Sequence, residues 1–582
     1  MNVITEIFSN SNISLKNIAI SDTARQISYL QLKNDIASFA EYLLANGIDQ
    51  KHIVAISLPR GYEFILSLLA LYYIGATALP LDQDIANDRI DSISSDIEIK
   101  YIISDEIFMK NTELQGVIRM PNICELNNAE FSPLKCEGDF SAHIIYTSGT
   151  TGKPKRVDIS YGGFLDYCHS LNRVIEIKNN DIFAVTASVG FSSLFRQIFL
   201  PLLSGAELLI ISDEARKDPG LFVQIIERAT VIDLIPSFIE LLVLYLDKNN
   251  TEKLLCSNIR MALSASELLK SSTLRNIAKH LPRALLVNMY GLTETSGIVS
   301  TYKATPQLIE KLSDYYVPIG QPLDGALISI IDEDDKYPNG EGELYVASPS
   351  IGLNISLEGK YYKTGDLAKY DQEGNIILVG RKDRQIKIAG KRIHLLEIDI
   401  IMEEHDLIDK CFTIFEPVAQ KLISFIKPAE HELDKKQLAY YAKTRLSYVM
   451  IPSEFHFIDI FPLTSSRKLD YKKLMEIYTT INLSAQEDQR CDIYKCKWEK
   501  EVYKVFSEQL QIHNIKPNDN LFELGVDSLK IAVGMAKITN KLSIDIRLAK
   551  VFANPSIRQL ASIIKDELAL LEERALSGVT AT

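Results

Sequence analysis

The sequence lacks a surplus of basic residues and lacks any metal-binding arrangement of cysteines. It has 63 lysines and arginines against 76 aspartates and glutamates, a net charge of −13. Because nucleic-acid binding needs a basic face, this balance argues against a nucleic-acid partner. The seven cysteines form no CxxC pair and have no histidine cluster beside them. This pattern argues against zinc sites and disulfides, and it predicts a reducing, cytoplasmic location.

Targeting and membrane signals are also missing. The N-terminal stretch MNVITEIFSNSN has no basic region followed by an apolar core, so we expect no signal peptide. One apolar run, FILSLLALYYIGATALPL at 64–81, is about as long as a short membrane-spanning helix. Gly75 would end a helix inside this run, and Pro80 would end the strand after it. The run therefore predicts a helix and then a buried strand, with no membrane contact.

The 582 residues are too many for one ordinary core. To about residue 380, apolar runs of strand length alternate with helical patterns, which predicts layered α/β sheets with largely parallel strands. Short strands with Gly and Asn turns near 320–347 indicate a small β unit. The predicted fold class is α/β multidomain, with a four-helix bundle at the end. We expect an N-terminal core at 1–380, a mixed α/β piece at 381–480, a linker at 481–493, the bundle at 494–575 and a tail at 576–582.

A loop rich in hydroxyls, glycines and lysines follows a strand pattern that ends near residue 147. Its sequence, YTSGTTGKPKRV (146–157), fails the spacing of a P-loop, because Thr147 stands where the first glycine should be. The backbone amides at two glycines and the charges of two lysines still suit an anion. Taken alone, the loop would be interpreted as a solvated turn. The candidate phosphate-binding residues are Thr147, Ser148, Gly149, Thr150, Thr151, Gly152, Lys153 and Lys155.

Three further motifs favour the anion-binding interpretation. NMYGLTETS (288–296) offers an aromatic ring for stacking on a base and a glutamate for a metal. YKTGDL (362–367), followed by GRKDRQIK (380–387), places an aspartate after a tight turn, where it can accept both hydroxyls of a ribose. PLTSSRKLD (462–470) ends the second α/β piece with a lysine. Each motif alone is weak evidence for a nucleotide site, but the loop and these three motifs in this order are a specific combination.

With these motifs, residues 10–475 resemble the adenylate-forming enzymes, and within them the adenylation domains of nonribosomal peptide synthetases. In that family a carboxylate attacks the α-phosphate of ATP, which gives an acyl-adenylate and pyrophosphate. The resemblance therefore implies a ligase that uses ATP and Mg²⁺. Other stretches that carry it are ISYLQL, YYIGATALPLD, PLLSGAELLI, YGLTET, GELYV and TGDL.

The resemblance also implies a role for each motif. The 147–155 loop would grip the β- and γ-phosphates. Lys468 would bridge the substrate carboxylate and the phosphate, stabilising charge that develops in the transition state. The other implied roles are adenine packing for Tyr290, ribose binding for Asp366 and Arg381, magnesium binding for Glu294 beside the catalytic Thr293, and a hinge for the mobile C-terminal subdomain at Asp383 or Arg384.

The helical segment at 494–575 contains NDNLFELGVDSLKIAV (518–533). Alone, its Asp-Ser-Leu triplet would be an ordinary helix N-cap. After a linker and within a bundle, it resembles the carrier domains that bear 4′-phosphopantetheine. The resemblance implies that a phosphopantetheinyl transferase attaches the arm to Ser528 and that the arm then takes the acyl group as a thioester. It implies a loading didomain in nonribosomal peptide or related secondary-metabolite biosynthesis. The expected partner is a downstream synthase or tailoring enzyme. Whether a small activator protein is also needed stays open.

The residue at the position that would bind a substrate ammonium differs from the one usual in the family. Counting back from Ser204-Gly205-Ala206, Ser192 falls where α-amino-acid-activating domains carry an aspartate. A serine cannot neutralise an ammonium, which argues against an α-amino acid held in the usual way. The same counting predicts a substrate pocket lined by Ser192, Ser193, Arg196, Asp233, Ala262, Ser264, Met289, Gly297 and Ile298.

Arg196 and Asp233 are unusual charges for such a pocket, and three interpretations stay open. They could pair with each other and only shape the wall. Arg196 could bind a second carboxylate or a carbonyl oxygen, as its stretch resembles that of α-aminoadipate reductases. Asp233 could receive an amine displaced from its usual position. The predicted substrate is a non-standard amino acid or a polar or dicarboxylic acid, because an apolar chain would leave buried charge unpaired.

Two other functions are open. A stand-alone acyl- or aryl-CoA ligase is disfavoured by the fused carrier, which makes free CoA unnecessary. A catalytically decayed carrier scaffold is disfavoured by the presence of Lys468, Asp366 and Glu294. Arg156 after KPK, and Ser466-Arg467 before Lys468, also depart from the family pattern without removing a catalytic group.

Overall fold

The protein forms two compact units. The first comprises Met1–Gly149, Lys153–Leu246 and Asn250–Arg392, and the second contains Ile393–Thr582 with two short pieces, Thr150–Gly152 and Asp247–Asn249. The finer boundaries predicted at 380, 480 and 493 remain predictions. A computed structural model describes residues 2–576 except 12, 83–92, 106–115, 137, 148–153, 250–257, 313–315, 333–339, 383–384, 389–390, 417–420, 430–433, 459, 463–472, 480–495, 511–514, 523–527, 543, 545 and 547.

The strands have these bounds: β1 Ile18–Ser21, β2 Gln26–Ser28, β3 Ile53–Ser57, β4 Thr77–Pro80, β5 Tyr101–Ser104, β6 Val117–Arg119, β7 Ser141–Thr147, β8 Lys155–Ser160, β9 Ile182–Val185, β10 Glu207–Ile210, β11 Val231–Leu234, β12 Met261–Ser264, β13 Leu285–Leu292, β14 Gly297–Ala304, β15 Gln321–Pro322, β16 Leu327–Ile331, β17 Gly342–Ala347, β18 Tyr362–Tyr370, β19 Ile376–Arg381, β20 Gln385–Ile388, β21 Lys391–His394, β22 Ile408–Glu416, β23 Lys421–Pro428 and β24 Glu454–Phe457.

The first unit is built on two large sheets and one small one. A nine-stranded sheet has the order β15-β14-β13-β12-β11-β9-β10-β1-β2, and a six-stranded sheet has the order β6-β5-β3-β4-β7-β8. Their central strands pair in parallel, as the alternation of strand and helix patterns predicts. The small unit predicted near 320–347 is an antiparallel sheet, β16-β17-β18-β19. The predicted α/β fold is confirmed.

Helices cover the sheets of the first unit, and local sequence signals set their ends. Ser28 caps the second helix by accepting a hydrogen bond from the Gln31 amide. The apolar run at 64–81 becomes a buried helix that ends at Gly75 (φ 77°), followed by β4, as predicted. No helix in the described part of the chain is long and apolar enough to cross a membrane. The helices are α1 Val3–Ser9, α2 Tyr29–Ala45, α3 Tyr62–Ile74, α4 Tyr161–Ile175, α5 Ser192–Ser204, α6 Asp213–Lys217, α7 Pro219–Ile226, α8 Pro236–Asn249, α9 Ser271–His280 and α10 Pro306–Lys311.

His143 is almost completely buried in the first unit. His143 on β7 stacks on Phe195 of α5, with ring centroids 3.7 Å apart. The Tyr72 hydroxyl lies 2.7 Å from its Nδ1. Burial lowers the pKa of His143 to about 3, so the ring is neutral near pH 7.

The second unit contains a mixed α/β part and a helical part. In the first of these, β22, β23 and β24 form one sheet beside α11 (Leu395–Glu403) and α12 (Lys435–Arg445). In the described residues after 495, four helices and no strand are found: α13 Lys497–Leu510, α14 Ser528–Leu542, α15 Leu548–Phe552 and α16 Ile557–Leu576. Their apolar faces share a core of their own, against which Trp498 packs. Trp498 is the one tryptophan of the sequence.

Candidate active site

A lysine and a glutamate from separate motifs meet beside the predicted phosphate loop. β7 ends at Thr147 and β8 begins at Lys155, while residues 148–153 of the loop lie outside the described residues. Lys155 Nζ lies 3.8 Å from Glu294 Oε1. The Glu294 side chain is only 2% exposed, whereas that of Lys155 is 42% exposed. The pair therefore combines an accessible cation for phosphate oxygens with a hard oxygen ligand for Mg²⁺.

A tight reversal between two strands holds Glu294 in place. β13 runs into a single turn at Thr293–Thr295 and returns as β14. The Thr295 hydroxyl accepts a hydrogen bond from the Leu292 amide and donates to the Gly297 carbonyl. A Cβ atom at Gly291 would lie 2.0 Å from that carbonyl oxygen, so only glycine fits there. The YGLTET motif is thus the sequence of this reversal.

A buried aspartate joins two of the predicted nucleotide-binding residues. Asp366 on β18 faces Arg381 on β19, whose Nη1 lies 2.5 Å from Asp366 Oδ1. The Tyr290 hydroxyl donates to Oδ2 of the same carboxylate. Burial, and then the charge of Asp366, raise the pKa of Tyr290 well above its usual value, so the phenol stays a donor. The three residues predicted at widely separate positions form one hydrogen-bonded group.

The two charges of the predicted substrate pocket pair with each other. Arg196, in the first turns of α5, donates from Nε (3.0 Å) and Nη2 (2.7 Å) to Asp233 Oδ2 on β11. Their side chains are 4% and 3% exposed. Burial lowers the pKa of Arg196, but the charges and hydrogen bonds of Asp233 and Tyr167 together raise it more, so the net shift is upward and the pair is ionic. Of the three interpretations left open by the sequence, the structure shows this pairing.

The other predicted pocket residues lie on neighbouring elements of the first unit. The Ser192 hydroxyl lies 3.5 Å from that of Thr293, which connects the start of α5 with the turn that holds Glu294. Gly297 lies against the ring of Tyr167 on α4, because a Cβ there would be 2.6 Å from the ring. No motif marks Tyr167 in the sequence, so it was missed. Ala262 and Ser264 are on β12, Met289 is on β13, and Ile298 is on β14, and all four are buried.

A cavity opens at the ends of β9, β11 and β12, where ligands commonly bind in parallel sheets. Its volume is about 70 Å³. Ser193, Arg196 and Asp233 line it, whereas the other predicted pocket residues do not. The further lining residues, which the sequence did not single out, are Thr186, Ala187, Ser188, Phe191, Gln197, Arg216, Phe222, Leu234, Ile235, Phe238, Ala265 and Ser266.

Several predicted site residues fall outside the described residues, namely Ser148–Lys153, Lys468, Asp383 and Arg384. Ser528 is the first residue of α14, at the position the carrier motif predicts for the start of a helix. The functions assigned to these residues remain predictions.

Comparison with known proteins identifies the family of the chain. Residues 11–354 match the family described as AMP-binding enzyme, and residues 500–564 match the phosphopantetheine attachment site. The chain belongs to the AMP-binding enzymes. It consists of an adenylation domain followed by a carrier domain, as the motifs predicted, and these domains imply ATP with Mg²⁺ and 4′-phosphopantetheine as cofactors.

Two curated relatives are nonribosomal peptide synthetases. The chain is 28% identical over 576 residues to the dimodular nonribosomal peptide synthase of Bacillus subtilis (strain 168), covering 92% of this chain and 23% of that protein. It is 27% identical over 589 residues to tyrocidine synthase 1 of Brevibacillus parabrevis, covering 96% and 52%. The chain thus spans a quarter to a half of these relatives.

A solved structure shares the fold across almost the whole chain. This is holo-PA1221, a synthetase protein with adenylation and PCP domains bound to a vinylsulfonamide inhibitor. The TM-score is 0.77 with 20% identity, and 97% of each chain is covered.

Proposed function

We propose that the protein activates a carboxylic acid with ATP and loads the acyl group, as a thioester, onto the phosphopantetheine arm at Ser528 of its own carrier domain. The observation that carries this proposal is the Lys155–Glu294 contact in a chain that also bears a phosphopantetheine attachment site. Every other predicted nucleotide contact that the structure describes lies in the same unit.

The first half-reaction would be an in-line displacement at the α-phosphorus. A carboxylate oxygen of the acid forms a bond to phosphorus, and the bond to the bridging oxygen breaks as pyrophosphate leaves. Lys155 would bind the departing phosphate oxygens, and Asp366, oriented by Tyr290 and Arg381, would hold the ribose. Lys468 would neutralise charge between carboxylate and phosphate.

The residues present fit a magnesium ion bound mainly through the nucleotide. Within the described residues, no group of three or more potential metal ligands exists. Mg²⁺ typically binds one or two carboxylates together with substrate phosphates, which a single buried Glu294 beside Lys155 suits. The ion would supply charge neutralisation to the phosphates.

In the second half-reaction, the thiol of the arm attacks the carbonyl carbon of the adenylate, and AMP leaves with the bonding electron pair. The thiol proton is lost to solvent or a base. The acyl thioester would then pass to a downstream synthase or tailoring enzyme in nonribosomal peptide or related biosynthesis. A small activator protein is a further partner that fits this class, and the cysteine pattern favours a cytoplasmic location.

The pocket favours a polar or dicarboxylic acid, or a non-standard amino acid, over a standard α-amino acid. Ser192 offers no charge to an ammonium group. Asp233, the carboxylate of the predicted pocket, is already neutralised by Arg196. An α-ammonium would therefore be buried without a counter-charge, which is costly.

Intact-mass measurement of the phosphopantetheinylated protein with ATP and pooled acids tests the proposal. The expected result is an acyl mass that Ser528→Ala abolishes and the exposed-serine control Ser562→Ala retains. Pyrophosphate exchange should persist in Ser528→Ala and fall about 100- to 1000-fold in Lys468→Ala, because one transition-state charge contact is lost. The exposed-lysine control Lys473→Ala should retain it.

Two results would overturn the proposal in favour of its alternatives. Thioester formation on free CoA that survives Ser528→Ala at the native rate would indicate a CoA ligase. Exchange at background with every acid, in a protein that does accept phosphopantetheine, would indicate a decayed carrier scaffold.

A further inference from the structure

An arginine that no sequence motif marks lies at the edge of the cavity described above. Arg216 of α6 lines the cavity and donates from Nη1 to the Ser188 hydroxyl at 2.8 Å. Its ion-pair partner among the described residues is Asp213, whose Oδ1 lies 3.5 Å away. The Arg216 side chain is 31% exposed, so its guanidinium lies where the cavity approaches solvent.

Asp213, the carboxylate near Arg216, also forms an ion pair with a second arginine. Arg60, whose side chain is 1% exposed, contacts the same Asp213 Oδ1 at 2.7 Å through Nη2. Its Nη1 donates to the carbonyls of Thr186 and Ala187, which line the cavity. Burial, and then the charge of Arg216, lower the pKa of Arg60 to about 10. Arg60 and Arg216 thus share one carboxylate oxygen of Asp213, and Arg60 is the closer of the two.

The cavity consequently has a surplus of one positive charge. Its charged lining residues are Arg196, Asp233 and Arg216, and the first two neutralise each other. Two nearby carboxylates accept hydrogen bonds from backbone amides outside the lining: Asp82 from Gly190, and Glu267 from Ser237. Arg216 is therefore the charged lining residue that no carboxylate of the lining neutralises.

The position of the cavity suits the far end of the activated acid. Ser192 contacts Thr293 beside Glu294, and the next residue, Ser193, lines the cavity. Three aromatic rings, Phe191, Phe222 and Phe238, provide apolar walls for a hydrocarbon spacer. A guanidinium forms paired, charge-assisted hydrogen bonds with a carboxylate.

We propose that this cavity receives the distal end of the substrate and that Arg216, rather than Arg196, binds a distal anionic group there. The substrate class is then an acid with a second carboxylate or comparable terminal anion. This inference rests on the proposed function, because it assumes that the chain activates an acid.

Pyrophosphate exchange with matched acid pairs tests the inference. Each pair consists of a dicarboxylic acid and its distal half-amide, over a series of spacer lengths. In the native protein the best dicarboxylic acid should have a KM about tenfold below that of its half-amide, because its distal group gains a charge-assisted contact. Arg216→Ala should abolish this difference in KM, and Arg216→Lys should retain part of it. Arg173→Ala, an exposed arginine paired with Asp324, should leave it unchanged.

Charge reversal separates a specific contact from a folding defect. Arg216→Glu should shift the preference toward acids with a distal ammonium group, which a misfolded protein would not acquire. Exchange in the native protein with equal KM for both members of every pair would overturn the inference while leaving the proposed function intact. An equal effect of Arg216→Ala on both members would also overturn it. Absence of exchange with any acid would overturn both.

Discussion

At the scale of single residues, the buried Arg196–Asp233 pair shows how a charge can be tolerated in the predicted substrate pocket. Each ion gives up its hydration, and each is retained only because the other is 2.7 Å away. Burial of either charge therefore depends on the presence of the other. The pairing removes net charge from this wall of the predicted pocket.

Removing one member of the pair should be much worse than removing both. Asp233→Leu leaves a buried guanidinium without its counter-charge, which should lower the free energy of unfolding of the first unit by about 3–5 kcal/mol. Arg196→Met combined with Asp233→Leu should cost far less, since no charge remains. Urea unfolding of the single and double variants measures this, and additive losses in the double variant would contradict it.

His143 should make stability depend on acidity. Its folded-state pKa is about 3 and its unfolded value is about 6.5. Below pH 6.5 the unfolded chain therefore binds a proton that the folded chain excludes, and stability falls as the pH is lowered toward 3. The slope should be at most about 1.4 kcal/mol per pH unit.

Circular dichroism of the unfolding transition between pH 6.5 and 5 tests the role of His143. His143→Gln should flatten the dependence, whereas His169→Gln, at a half-exposed histidine, should not reproduce that change. An unchanged slope in His143→Gln would show that other groups cause it.

At the scale of elements, α5 positions pocket residues at its start and depends on a glycine at its end. Its first turns bring Ser192, Ser193 and Arg196 to the site, and its end is fixed by Gly205 in the left-handed conformation (φ 79°). A Cβ at Gly205 would lie 2.8 Å from Ile13 Cγ1. The end of α5 therefore needs glycine for two independent reasons.

Gly205→Ala should destabilise the first unit more than an equivalent change at Gly374. Gly374 has nearly the same φ (80°), but a Cβ there meets nothing within 4 Å. Gly374→Ala thus measures the conformational cost alone, about 1–2 kcal/mol. Gly205→Ala should add about 1–3 kcal/mol for crowding. Equal melting shifts in the two variants would contradict this reasoning.

At the scale of the whole molecule, the sequence predicted the fold class, the family and the carrier because these depend on local periodicity and on motifs with fixed spacing. It also predicted a set of nucleotide-binding residues, and three of them, Tyr290, Asp366 and Arg381, form one hydrogen-bonded group. Their contact with a nucleotide stays a prediction. It left the state of Arg196 open, because the partner lies 37 residues away on another element. Arg216 was missed for the same reason, since α6 has no motif and its place at the cavity depends on how helices pack on the sheet.

Trp498 gives the carrier a built-in optical label. As the one tryptophan of the chain, packed on the core of the carrier helices, it is the source of all indole emission. Excitation beyond the tyrosine band therefore observes that small domain alone inside a protein of 582 residues. Unfolding of the carrier can therefore be followed by this emission in the intact protein, without adding a dye.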